Sequence, residues 1–159
     1  MILVTVGSMF PFDRLVQAMD RVVAAGGVDE EVVAQIGSGS YEPRSMSFER
    51  FMAKDRFDQL LSQASAVVSH AGVGTIATAL ARSLPMVVMP RRGAFGEHVN
   101  DHQVGTARRW AELGHVLVAN EADDLPRMLK QLRGFTPRPR HVDAIGIARR
   151  VDRFLREGH

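Results

Sequence analysis

Short apolar runs alternate along this chain with longer segments whose apolar residues recur every three or four positions. Residues 2–6, 32–36, 66–69, 86–89 and 116–118 are short, mainly apolar runs, and a weaker one lies around Phe48 and Phe51. A continuous run suits a strand covered on both faces, as in a parallel sheet. Between the runs, Phe12, Leu15, Val16, Met19, Val22 and Val23 mark one helical stripe. Pro11 suits its first turn and Gly26-Gly27 its end. Phe57, Leu60, Leu61 and Ala64 mark a second, and residues 75–82 a third. Val99, Gln103, Ala107, Trp110 and Ala111 predict a helix ending at Gly114, and Leu125, Met128, Leu129 and Leu132 another ending at Gly134. Strands alternating with helices give βαβ units. The predicted fold is therefore α/β, a Rossmann-like open parallel sheet with helices on both faces. Ligands of such sheets bind beyond the C-terminal ends of the strands. The loops after Val6, Ile36, Ser69 and Met89 are thus the ones to search.

A chain of 159 residues supports one ordinary domain. We place it at residues 1–134. Residues 135–159 are expected to form a linker, broken by Pro137 and Pro139, and an amphipathic helix carrying Ile145, Ala148, Val151, Phe154 and Leu155. Its Arg149, Arg150, Arg153 and Arg156 read as a solvated face or as a surface for docking on the domain, a partner or an anionic membrane. The absence of cysteine excludes disulfides, thiolate metal sites and a cysteine nucleophile. The opening apolar run lacks the basic region of a secretory signal, and no stretch is long enough to span a bilayer. A formal charge of +2 gives no case for nucleic acid as a partner.

Two loops are dense in chemistry. In Ser69-His70-Ala71-Gly72-Val73-Gly74-Thr75, two glycines let the backbone approach a ligand. The free amides of a helix starting near Gly74 or Thr75 attract anions, above all phosphate. The competing reading is a plain turn with Thr75 as helix cap. The loop after residue 89 holds Arg91, Arg92, Glu97, His98, Asn100, Asp101, His102 and Gln103. Carboxylate and amide side chains there can grip sugar hydroxyls, or Asn100 or Asp101 can simply cap a helix. Gly7-Ser8 reads either as a loop approaching a diphosphate or as a strand-to-helix turn. His98 and His102 could share a helix face, but they lack a His-Glu-x-x-His pattern, so no metal is expected. No Gly-x-Ser-x-Gly elbow is present.

Taken together, Ser-His-Ala-Gly-Val-Gly-Thr at 69–75, Leu-Pro-Met-Val-Val-Met-Pro at 84–90 and Asn-Asp-His-Gln at 100–103 resemble the C-terminal domain of family 28 glycosyltransferases. The pattern is most similar to the PssE type of bacterial exopolysaccharide glycosyltransferase subunit. That likeness includes Val6-Gly7-Ser8 with Pro11-Phe12-Asp13-Arg14-Leu15, Gln35-Ile36-Gly37 with Tyr41-Glu42-Pro43, and Arg91-Arg92 before Gly96-Glu97-His98.

The resemblance implies the C-terminal, donor-binding half of a GT-B enzyme split between two proteins. It implies a UDP-sugar donor, with UDP-glucuronic acid first, and a PssD-like, membrane-anchored subunit holding a lipid-linked sugar acceptor. Transfer would invert the anomeric centre without metal or cofactor, at the cytoplasmic face of the membrane. By position, Gly7 and Ser8 would lie near the diphosphate or reacting sugar. His70, Gly72, Gly74 and Thr75 would hold phosphates and sugar, and His102 and Gln103 would face hydroxyls. His70 is the local candidate for a direct catalytic role, while the general base is expected on the partner. Relatives often carry a ribose-binding glutamate where this chain has Thr78. Arg91 or Arg92 is the candidate cation for a glucuronate carboxylate. A UDP-N-acetylglucosamine or UDP-glucose donor, or a non-catalytic nucleotide-binding module, are the alternatives.

Overall fold

Alternate residues of a doubly buried strand must each find a layer of helix, and here they do. The computed structural model describes residues 1–139. Among them the order is β1 (Ile2–Thr5), α1 (Asp13–Ala24), β2 (Val32–Gln35), β3 (Ser47–Glu49), α2 (Lys54–Gln63), β4 (Ala66–His70), α3 (Val73–Ala81), β5 (Met86–Met89), α4 (His102–Glu112), β6 (Leu117–Val118) and α5 (Leu125–Leu132). The strands form one six-stranded sheet in the order β3-β2-β1-β4-β5-β6, and every pairing is parallel.

Ile2, Val4, Val68, Val87 and Met89 pack on one side with Leu15, Met19, Leu125 and Leu129, beneath α1 and α5. Leu3, Val67, Met86 and Val88 pack on the other with Leu61, Ile76, Leu80 and Ala107, beneath α2, α3 and α4. Each such side chain moved out of water contributes about 1.5–3 kcal/mol. The predicted architecture is the observed one. The strand order reverses direction between β1 and β4, so the crevice beyond their C-terminal ends is the topological switch point.

Differences from the sequence reading cluster at element ends. The helix after β4 begins at Val73 with Gly72 as its N-cap, so Thr75 lies inside the first turn and is not the cap. The helix predicted to include Val99 begins only at His102, and Val99 is 82% exposed. The edge strands β3 and β6 are shorter and shifted because their residues are only partly buried. Residues 133–138 fold back, with the Arg138 amide donating to the Gly114 carbonyl at 2.9 Å. The expected terminal helix lies outside the described residues.

Candidate functional site

Three residues named from the sequence meet at the switch point. Gly7 closes β1 in the left-handed region, at φ +76. A Cβ there would stand 2.8 Å from the His70 ring, and one on Gly72 would stand 2.2 Å from His70 Nε2. Glycine is needed at both positions because the imidazole occupies the space between them. Ser69 Oγ lies 3.1 Å from His70 Nδ1. Directly above, α3 starts without any side-chain cap, so its first-turn amides face outward beside Gly74, which has open space around it. Close backbone, a positive helix end and one polar ring meet here, a combination whose chemistry suits an anion.

Burial, followed by the positive charge of Arg91, pushes the His70 imidazole down from 6.5 to about 4, against a hydrogen bond to the Thr5 backbone. The ring is therefore neutral at physiological pH and can both donate and accept. The folded chain binds fewer protons than the unfolded one between those values. The associated stability is present above pH 6.5 and is lost as the pH falls through about 4. An NMR titration is expected to show a His70 midpoint near 4; a midpoint near 6.5 would mean the ring stands in water.

A polar network that sequence reasoning missed fixes the β1–α1 loop. Thr5 Oγ1 donates to Gln35 Oε1 at 2.8 Å, and Gln35 Nε2 donates to the carbonyls of Gly7 and Arg50, both at 3.1 Å. The available signal was Gln35 itself, a polar residue at the end of an otherwise apolar strand.

The loop after β5 is organised by charge. Arg91 is 2% exposed, and its Nη2 donates to the Val6 and Phe10 carbonyls at 2.6 and 2.5 Å. Glu97 is buried and receives Arg14 Nε and Nη2 at 2.7 and 2.8 Å and the Arg92 amide at 3.0 Å. Arg92 pairs with Glu121 at 2.8 Å. Gln103 is buried, with Oε1 accepting from the Arg91 amide at 3.2 Å. Asp101 Oδ1 accepts from the Gly93 amide at 2.8 Å. Asn100 Oδ1 accepts from the His102 amide at 3.2 Å, and it also meets the His102 ring. Of the predicted sugar contacts in this loop, Asn100 and His102 are exposed, whereas Arg91, Glu97 and Gln103 serve the protein's own framework. Ser8 is exposed beside Gly7. Thr75 is half-buried in the first turn of α3, and Thr78 donates to the Gly74 carbonyl at 2.8 Å within its own helix.

Among the described residues no three His, Asp or Glu side chains converge as a metal site. A cavity of about 230 Å³ between Ile2, Ser65, Leu129 and Arg133 lies at the opposite, N-terminal ends of the strands, away from the switch point. Among the described residues no helix is long and apolar enough to cross a membrane.

Residues 1–142 match the sequence profile of the glycosyltransferase family 28 C-terminal domain. The chain belongs to glycosyltransferase family 28. Over 125 residues, or 71% of its length, this family 28 domain is 33% identical to the mouse UDP-N-acetylglucosamine transferase subunit ALG13, of which it spans only 10%. Its fold is similar to the glycosyltransferase SnogD of Streptomyces nogalater (TM-score 0.56, 26% identity), covering 82% of this chain and 34% of that one. It is similar in fold also to MurG of Acinetobacter baumannii (TM-score 0.55, 17% identity), covering 83% of this chain and 40% of that one. The family 28 domain thus has the architecture of the C-terminal half of a GT-B enzyme.

Proposed function

We propose that this chain is the donor-binding half of a two-part inverting glycosyltransferase that transfers a sugar from a UDP-sugar to a lipid-linked acceptor. The observation that carries the reading is the neutral His70 ring, packed against Gly7 and Gly72 under the uncapped start of α3 at the switch point. That cradle suits a pyrophosphate. As the glycosidic bond breaks, negative charge gathers on the departing UDP, where fixed dipoles are most useful. A helix end contributes about 0.3–1 kcal/mol for an exposed anion and up to about 2 when partly buried. The base must reach the acceptor hydroxyl, which an acceptor-binding partner would hold. The mouse relative is named as a transferase subunit, which supports a two-part enzyme. A PssD-like partner would bring the chain to the cytoplasmic face of the membrane.

For the donor sugar, N-acetylglucosamine is the first reading and glucuronic acid the second. A glucuronate carboxylate asks for a free cation, yet Arg91 is buried on backbone carbonyls and Arg92 is held by Glu121. The relative's name points to N-acetylglucosamine. The glucuronate reading rests on the PssE likeness alone. Thr78 would have to release the Gly74 carbonyl to meet a ribose.

Calorimetry is expected to show UDP binding at least about tenfold tighter than uridine, a difference of about 1.4 kcal/mol. Competition among UDP-N-acetylglucosamine, UDP-glucose and UDP-glucuronate then ranks the donors. No affinity for any of them, alone or with the partner subunit, would reject the proposal.

A further inference from the structure

We propose that Arg91 is a positioning residue for transfer: from beneath the β1–α1 loop it sets where Gly7 and Ser8 stand relative to His70 and the start of α3. This rests on the donor-site reading above. The two carbonyls it binds, on Val6 and Phe10, bracket that loop. A single nitrogen, Nη2, reaches both, so the span of the loop is fixed at one point. The guanidinium also lies over the Phe12 ring, 5.1 Å from its centroid, and the Arg91 amide is held by Gln103. Neither end of the side chain is free to drift.

A buried cation is a costly way to fill a core, since both the charge and the carbonyls it meets must be taken out of water. Arg91 even leaves its buried Nε without a partner. What it supplies is a defined loop geometry. A second arginine crosses in the opposite direction. Arg14, on α1, binds the Pro90 carbonyl at 2.9 Å and Glu97 through two nitrogens. The loop after β1 is thus held from β5, and the loop after β5 is held from α1. The loops after β1 and β5 are thereby cross-braced. Placement errors of about 1 Å at a reacting centre cost about a hundredfold in rate, which is the scale on which such a brace acts.

The test uses the chain assembled with its acceptor-binding partner and turning over UDP-sugar. Arg91→Lys keeps the charge but not the planar fork. It is expected to lower kcat by about tenfold or more with donor KM changed by less than about threefold. Amide exchange at Gly7, whose amide donates to Thr5 Oγ1 at 3.3 Å, is expected to quicken while β1 and β4 stay protected. Arg91→Met, which fills the slot over Phe12 but leaves the Val6 and Phe10 carbonyls without their donor, is expected to fold, to melt below wild type and to show the same kcat loss. Wild-type kcat in a folded Arg91→Met chain, or unchanged exchange at Gly7 in Arg91→Lys, would overturn the inference. If the wild-type assembly neither binds nor turns over any UDP-sugar, it is the donor-site reading that fails instead.

Discussion

Gly72→Ala is expected to leave the fold intact and lower UDP affinity by about ten- to a hundredfold, roughly 1.4–2.7 kcal/mol. Gly72 sits at φ −81, ψ 127, which alanine adopts without strain. The three atoms nearest the added methyl all belong to the His70 ring, at 2.2 Å for Nε2, 2.8 Å for Cδ2 and 3.0 Å for Cε1. On its other side the ring stands over Gly7, where a Cβ would come 2.8 Å from Cε1. It must swing into the space where the pyrophosphate would lie. Removing the ring in a Gly72→Ala/His70→Ala double variant is expected to relieve the clash, so the two changes will not be additive. Gly7→Ala differs in kind, because φ +76 adds backbone strain of about 1–3 kcal/mol to the same collision. Calorimetry with UDP and thermal melting together check this. Full UDP affinity in a folded Gly72→Ala chain would remove the His70 cradle from the account.

Glu97→Ala should cost about 3–5 kcal/mol of stability, the range for removing one partner of a buried ion pair. The Arg14 and Glu97 side chains are 17% and 9% exposed. Glu97 accepts three hydrogen bonds, two from Arg14 and one from the Arg92 amide. Without it, Arg14, Arg91 and Arg92 crowd together with only Glu121 to balance them. Glu121 is half exposed and stands 3.9 Å from Arg14, too far to replace a bidentate pair. Urea denaturation measures the loss as a lower midpoint. Glu97→Gln keeps the shape without the charge and should fall between. A loss below about 1 kcal/mol would be that of an exposed pair and would show the cluster to be solvated.

The sheet was legible because its central strands carry their own signal. Residues 2–5, 32–35 and 86–89 are buried at every position, and a run of apolar residues says so. β3 and β6 lie at the edges, half in water, where composition no longer marks the boundary. The start of α4 was misplaced because Val99 extends the apolar periodicity, although its side chain faces solvent. At the site, Gly7, His70 and Gly72 were readable as loop residues, since glycines at strand ends advertise close approach. Arg91 and Glu97 looked like ligand contacts for a good reason: sequence gives charge but not burial. Glu97 owes its burial to Arg14, 83 positions away, and the Arg91 hydrogen bond to Val6 crosses 85. No local pattern encodes such a pairing.

The sheet ends in a three-residue strand on one side and a two-residue strand on the other. So few unsatisfied main-chain groups give a foreign strand little to zip onto. Any companion protein should accordingly recognise this molecule through side-chain surfaces, leaving the hydrogen-bonded ladder closed, and the molecule should resist edge-to-edge aggregation.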